Sequence, residues 1–377
     1  MADPLRLLCF LPDLDAGGAQ RTMVNLVNAL PRDRVLPRLV VARGGGTAQA
    51  DLADDVTLVD LETRRVRGAV GPLRDRVRAD RPDLLFSTFA AANIAAILAT
   101  RALPGRPPVI LRETNTHRHR PDFPRFMRWG AGWAYPRAER VVALSEGVRK
   151  ELIESYRLDP ARAVTLHNPV AVGALAGSAA AARPEPPPWQ DRLPGDAPVV
   201  VGVGRLVPQK GFDLLIEAVA ALADRSARLV ILGDGPEGAA LKLHGDALGL
   251  GPRLYMPGHV RDPAPWLAHA DLFVLSSRWE GFGHVLVEAM ACGAPVLATD
   301  CPFGPADIVR EGENGILVAP GRADDLASAM ARLLRDSALR QRLAEAGRER
   351  ARAFEAERIA SAYADLFEAT ARAGVGG

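Results

Sequence analysis

Short apolar runs alternate with amphipathic stretches along most of the chain. Residues 5–14 form an apolar run that ends before Gly17-Gly18, and residues 19–30 follow as an amphipathic helix. Further strands are predicted at 35–42, 56–60, 83–87, 109–112, 141–144 and 164–167. Helices are predicted at 66–79, 90–101, 126–137 and 146–155. Residues 171–198 break the rhythm. Small residues and prolines dominate there, which predicts a linker or extended surface loop. The alternation restarts with strands at 199–203, 228–232, 253–256, 271–275, 295–298 and 315–318. Helices are predicted at 211–222, 236–248, 263–269 and 283–292, then at 323–353 (broken) and 355–373. Strands and helices at this spacing imply βαβ units and parallel sheets. The fold class is therefore α/β, with two doubly wound Rossmann-like halves. The domains are 1–170, a linker at 171–198, 199–354, and a closing helix within 355–377. In such sheets ligands sit beyond the carboxyl ends of the strands, and a central cleft between the two halves is the default site.

Composition narrows the class. A chain of 377 residues that is 48% hydrophobic and 24% charged has the size of two domains and enough apolar surface for large cores. Cys9, Cys292 and Cys301 form no C-x-x-C pair; they read as buried thiols in a reducing, cytoplasmic setting. The apolar run at 5–11 is too short for a signal peptide. The most apolar long segment, 84–103, contains Ser87, Thr88, Asn93, Thr100 and Arg101, which argues against a membrane span. Charge is uneven. Residues 1–168 hold 26 Lys+Arg and 19 Asp+Glu, a net of +7, and the rest hold 21 and 26, a net of −5. A basic first half is suited to an anionic partner, although simple scatter gives the same numbers.

One stretch carries most of the candidate chemistry: Ser276-Ser277-Arg278-Trp279-Glu280-Gly281-Phe282-Gly283, running into a helix that bears Glu288. A strand, a tight turn and a helix start fit this pattern, and a helix start binds anions through its free amides. Glu280 and Glu288 are eight residues apart, roughly 12 Å if both lie on a helix. That separation would bracket a diphosphate with a hydroxyl-bearing group at either end. Gly202-Val203-Gly204-Arg205, with Lys210-Gly211, also follows a strand and opens a helix. Arg205 and Lys210 there offer two cations to a diphosphate. The segment lacks the third glycine of a dinucleotide fingerprint and has no G-K-[ST] of a P-loop. A solvated turn with two surface cations is the plainer reading. Gly17 and Gly18 repeat the device in the first half, or serve only as a packing hinge. Val260, after Gly258-His259, is placed against a flat base. Glu113, Asn115 and His117 follow a strand and are candidates for contact with a reacting sugar, while a lone His is commonly structural. Residues 118–133 mix arginines with Phe123, Phe126, Trp129 and Trp133. This suits a membrane surface, or else a helix with one buried aromatic face. There is no basic arm or base-stacking module for nucleic acid.

Taken together these segments resemble the GT-B-fold retaining glycosyltransferases of family 4. The resemblance rests on Gly17-Gly18-Ala19-Gln20-Arg21, Leu144-Ser145-Glu146, His167-Asn168-Pro169-Val170, the Gly202 and Gly233-Asp234-Gly235-Pro236 turns, Glu280 through Glu288, and Cys301-Pro302-Phe303-Gly304-Pro305. It implies a first domain for the acceptor, a second for the nucleotide sugar, and a last helix that crosses back to the first. It implies that Arg205 and Lys210 bind the donor diphosphate, Glu280 the sugar hydroxyls and Glu288 the ribose. Gly204 and the amides around Gly281, Phe282 and Gly283 then hold phosphate or sugar oxygens, and Gly17-Gly18 completes the site. Glu280, Arg205, Lys210 and His117 are the expected catalytic set, with no metal and no cofactor beyond a co-substrate such as a UDP-hexose or UDP-N-acetylhexosamine. The acceptor would be a glycan, a lipid-linked glycan or a small molecule. Members commonly carry a His ahead of the position of His117; Arg112-Glu113-Thr114-Asn115 stands there instead. Two alternatives are a nucleotide-sugar epimerase or hydrolase on the same fold, and a non-catalytic nucleotide-sugar binder.

Overall fold

The structure, a computed structural model, describes residues 3–15, 18–118, 123–183, 187–193, 197–223 and 226–375. The chain divides into two compact units, Met1–Val170 with Ala356–Gly377, and Ala171–Glu355.

The first unit runs β1 (Leu5–Leu11), α1 (Gly18–Ala29), β2 (Val35–Val41), β3 (Thr57–Asp60), α2 (Val70–Asp80), β4 (Leu84–Thr88), α3 (Ala90–Thr100), β5 (Val109–Glu113), α4 (Arg125–Ala134), β6 (Arg140–Ala143), α5 (Glu146–Tyr156) and β7 (Ala163–Thr165). Its sheet has the order β3-β2-β1-β4-β5-β6-β7, with every pair parallel. β1, β4 and β5 lie at its centre and are buried almost throughout, as strands covered on both faces must be. Their near-continuous apolar runs reflect that burial.

The second unit runs α6 (Val172–Ala182), β8 (Val199–Val203), α7 (Phe212–Ala220), β9 (Arg228–Leu232), α8 (Gly238–Ala247), β10 (Leu254–Gly258), α9 (Ala264–Ala268), β11 (Leu272–Leu275), α10 (His284–Cys292), β12 (Val296–Thr299), α11 (Pro305–Ile308), β13 (Ile316–Val318), α12 (Ala323–Arg335) and α13 (Ser337–Ala351). The sheet order is β10-β9-β8-β11-β12-β13, again all parallel. From β8 the chain winds outward through β9 and β10, then returns to the other side of β8 as β11. The reversal therefore falls between β8 and β11, where open α/β sheets form their ligand crevice. Asp336 separates α12 from α13 and caps α13 by accepting the Leu339 N–H at 2.8 Å.

The final helix, α14 (Ala356–Val375), belongs to the first unit. Tyr363 and Phe367 are fully buried and meet the ring of Phe86 in β4 at 5.8 and 5.1 Å between centroids. Arg34 reaches Asp365 at 2.7 Å and Glu368 at 2.8 Å.

The linker predicted at 171–198 is corrected in its first part. Val172–Ala182 is a helix, and it packs on α9 and α10. Its small residues look like low complexity, yet alanine is the strongest helix former, and small side chains let helices approach closely. Ala179 is 2% exposed. The short helix α11 has no counterpart among the predicted elements.

Candidate active site

Glycine and hydrogen bonding bring the loops after β8, β9, β11 and β12 together at the carboxyl ends of these strands. Gly211 has φ +61, and a Cβ there would lie 2.2 Å from the carbonyl oxygen of Ser276. A Cβ on Gly304 (φ +102) would lie 2.4 Å from the carbonyl oxygen of Phe282. Only glycine allows such backbone approach at such a φ. The loops after β8 and β11 are joined by several bonds. The Arg278 N–H donates to Gln209 O (2.8 Å), Gln209 Nε2 to Trp279 O (2.9 Å), and Ser276 Oγ to Lys210 O (2.9 Å). Arg278 also pairs with Asp213 at 2.6 Å, and its guanidinium holds that carboxyl below the usual carboxylate range. The loop after β12 clasps Glu280 on both sides. The Glu280 N–H donates to Pro302 O (2.9 Å), and the Phe303 N–H donates to Glu280 O (3.0 Å).

At the centre of this assembly Lys210 Nζ meets Glu280 Oε1 at 2.5 Å, and Ser277 Oγ donates to the same oxygen at 2.7 Å. The Lys210 and Glu280 side chains are only 17% and 7% exposed. Gly204 lines the lysine stem, since a Cβ there would stand 3.3 Å from Lys210 Cδ. Arg205 projects to solvent and makes no side-chain hydrogen bond or ion pair among the described residues. Gly281 and Gly283 are buried in the turn that leads to α10. Phe282 turns inward onto Phe354 (5.5 Å), so only its backbone is available for the role predicted for it. Glu288 lies one turn into α10, half-buried, with His284 Nε2 at 3.4 Å. Glu280 itself precedes the helix, which starts at His284. The helical spacing of 12 Å predicted for the two carboxylates therefore does not apply. Val260 is half-buried after β10, beside the turn in which Asp234 accepts the His259 N–H at 2.9 Å.

The cysteines contribute no nucleophile. Burial, and after it the Glu280 charge, raise the Cys301 thiol to about 12, while burial with Glu288 raises Cys292 to about 12. Burial alone pushes Cys9 up further. Among the described residues no group of three or more His, Cys, Asp or Glu is arranged to hold a metal ion.

In the first unit, Gly18 is exposed at the start of α1, and Gly17 lies outside the described residues. The expectation that Glu113 and His117 reach an acceptor is corrected. Both are 3% exposed. His117 Nε2 lies 3.0 Å from Glu113 Oε2, and Nδ1 lies 2.5 Å from the Tyr156 hydroxyl. The Tyr135 hydroxyl donates to Glu113, and Phe123 stacks on the imidazole at 4.0 Å. Burial by itself would raise the Glu113 carboxyl; His117, Tyr135 and the Thr114 N–H outweigh it and hold the carboxyl below its ordinary value. The aromatic residues that enclose this pair are scattered through 123–156, so local spacing gave no sign of them. Asn115 is half-buried, and its Oδ1 accepts the Thr116 N–H at 2.8 Å. Sequence reasoning also missed Asp213, Gln209 and Ser277, which hold the second unit's loops together.

Comparison with known proteins decides the family. Residues 16–173 match the family described as Glycosyltransferase Family 4, and residues 187–350 match Glycosyl transferases group 1. The lipopolysaccharide core biosynthesis glycosyltransferase LpsD of Rhizobium meliloti is 30% identical over 366 residues, covering 93% of this chain and 95% of LpsD. The chain is a family 4 glycosyltransferase. Another relative, the lipopolysaccharide core biosynthesis glycosyltransferase LpsE of the same organism, is 43% identical over 174 residues, spanning 46% of this chain and half of LpsE. In three dimensions the glycosyltransferase resembles Anabaena HepE, crystallised in complex with UDP, with a TM-score of 0.81 at 23% identity. That match covers 97% of this chain and all of HepE. At that identity the likeness establishes the shared GT-B fold alone.

Proposed function

We propose that this glycosyltransferase moves a hexose or N-acetylhexosamine from its UDP-activated form to a glycan hydroxyl, with retention of anomeric configuration and without a metal ion. The observation that carries the proposal is the Lys210–Glu280 pair at the β8/β11 reversal, with exposed Arg205 in the loop after β8 and the start of α10 following the loop after β11. Breaking the anomeric C–O bond leaves a nucleoside diphosphate, and donors already fixed in place stabilise that developing charge without reorganising. Arg205, Lys210 and the first amides of α10 are that donor set, while the Gly204 N–H is spent on the Leu232 carbonyl. Glu280 orients Lys210 and accepts from the sugar hydroxyls, Glu288 accepts from the ribose, and Val260 flanks the base. With Glu113 and His117 enclosed and every thiol buried, same-face attack assisted by the leaving phosphate oxygen is the favoured route. HepE in complex with UDP supports the uracil base, and the names of LpsD and LpsE support a glycan acceptor.

Incubation with UDP-sugars and glycan acceptors tests this. UDP release should depend on acceptor, and proton NMR of the product should show the donor's anomeric configuration. Inversion would refute retention. Acceptor-independent release of UDP with a free or epimerised sugar would indicate a hydrolase or epimerase instead.

A further inference from the structure

The amino ends of β11 and β12 border a cavity of about 440 Å³ in the second unit, at the opposite end of the sheet from the candidate active site. Arg183, Arg340 and Arg348 line it together with Asp271, Gln341 and Glu345. Arg340 is occupied: it donates to the Leu333 and Leu334 carbonyls at 2.8 and 2.6 Å and lies 3.9 Å from Asp271. Arg183 and Arg348 converge on the C-terminal end of α10. Arg183 donates to the Cys292 carbonyl at 2.9 Å, as a cation at a helix C-terminus does. The Arg348 guanidinium lies over Gly293, where a Cβ would come 2.1 Å from its Nη2. It is half-buried, yet makes no hydrogen bond or ion pair among the described residues. Burial, and after it the charge of Arg183, hold its pKa below the ordinary value. One cation satisfies the end of α10. The second is kept beside it against like-charge repulsion, with no carboxylate paired to it among the described residues.

Two neighbouring guanidinium groups with unused N–H donors suit the oxygens of a phosphate, which accepts from both and removes their repulsion. The cavity has the size of a small-molecule pocket rather than of a single ion. The rest of its lining is acidic and amide: Asp271, and Glu345 with the Gln341 amide donating to it at 3.0 Å. Carboxylates repel a bare anion but accept from hydroxyl groups. We propose that this cavity binds the phosphate monoester of a polyol, a pentose or hexose phosphate, with the phosphate on Arg183 and Arg348 and the hydroxyls on Asp271 and Glu345. The proposal stands independently of the donor and acceptor readings, because those residues lie at the carboxyl ends of the strands and these at the amino ends.

Calorimetric titration of the full-length protein with ribose 5-phosphate, inorganic phosphate and ribose tests it. Ribose 5-phosphate should bind about tenfold or more tightly than inorganic phosphate, and ribose should give no measurable heat. Arg348→Gln and Arg183→Gln should each weaken ribose 5-phosphate by about tenfold or more. Arg348→Gln should leave the melting temperature unchanged, since that side chain holds nothing in place. Glu345→Gln should narrow the gap between ribose 5-phosphate and inorganic phosphate, because it removes the repulsion that a bare anion feels. Arg205→Ala, at the other end of the sheet, should bind ribose 5-phosphate as the wild type does. The proposal is overturned if ribose 5-phosphate does not bind, or if Arg348→Gln retains wild-type affinity. Affinity lost in Arg205→Ala and kept in Arg348→Gln would assign the phosphate to the donor site instead. Inorganic phosphate binding as tightly as ribose 5-phosphate would overturn the polyol assignment.

Discussion

Lys210 and Glu280 face each other across 2.5 Å, mostly shielded from water. Removing one partner leaves the other as a poorly compensated charge. Lys210→Met should therefore destabilise the second unit. Adding Glu280→Gln should recover about 1–3 kcal/mol of that loss, as a contacting pair does in a double-mutant cycle. Additive denaturant midpoints would show that the two are uncoupled. In function they should separate. Glu280→Gln should lower kcat by about 100-fold or more with UDP affinity little changed. Arg205→Ala should weaken UDP binding by about tenfold, the loss of one charge-assisted hydrogen bond. Unchanged turnover in the Glu280 variant would contradict the role given to it. Positions 205, 210, 280 and 288 could be picked out as candidates, because cations and carboxylates next to glycine turns at helix starts form a local pattern. The Lys210–Glu280 and Asp213–Arg278 pairs were not. They join positions 70 and 65 residues apart, which meet only because β11 returns to lie beside β8.

At the level of elements, the loop after β5 and the helix α6 were both misjudged, for different reasons. Glu113 and His117 resemble site residues by their position after a strand, but the aromatics that enclose them are Phe123 and Tyr135, just before and just after α4, and Tyr156 at the end of α5. The Glu113 carboxyl is held below its ordinary value in the folded chain. Its contribution to stability is thus complete above the unfolded carboxyl pKa, about 4.3, and is lost as pH falls through the lower folded value. Glu113→Gln should flatten the acid limb of the melting curve below about pH 4. It should also lower stability at neutral pH by about 2 kcal/mol, since His117 and Tyr135 lose an ionised partner. An acid limb identical to the wild type's would contradict the buried pair. For α6, the amides of residues 176–182 should show strong hydrogen-exchange protection, because the helix packs on α9 and α10. Rapid exchange across that span would restore the linker reading.

For the whole molecule, two parallel α/β halves could be read from the alternation of strand and helix. The crossing of α14 into the first unit came from family resemblance, because periodicity shows that a helix forms but not which core receives it. Phe367 is fully buried against Phe86. Phe367→Ala should cost about 3–5 kcal/mol. In hydrogen exchange the loss should appear in β1 and β4, with β8 and β11 unaffected. Loss of protection in β8 and β11 instead would place α14 with the wrong core. The position of the donor's phosphates decides whether Lys210, Arg205 and the start of α10 act together. A crystal structure with UDP tests it most directly. The diphosphate should lie within about 3 Å of Lys210 Nζ, the Arg205 guanidinium and the first amides of α10, with the ribose hydroxyls on Glu288. UDP bound elsewhere, with Lys210 and Glu280 still paired only with each other and no phosphate at the start of α10, would contradict it.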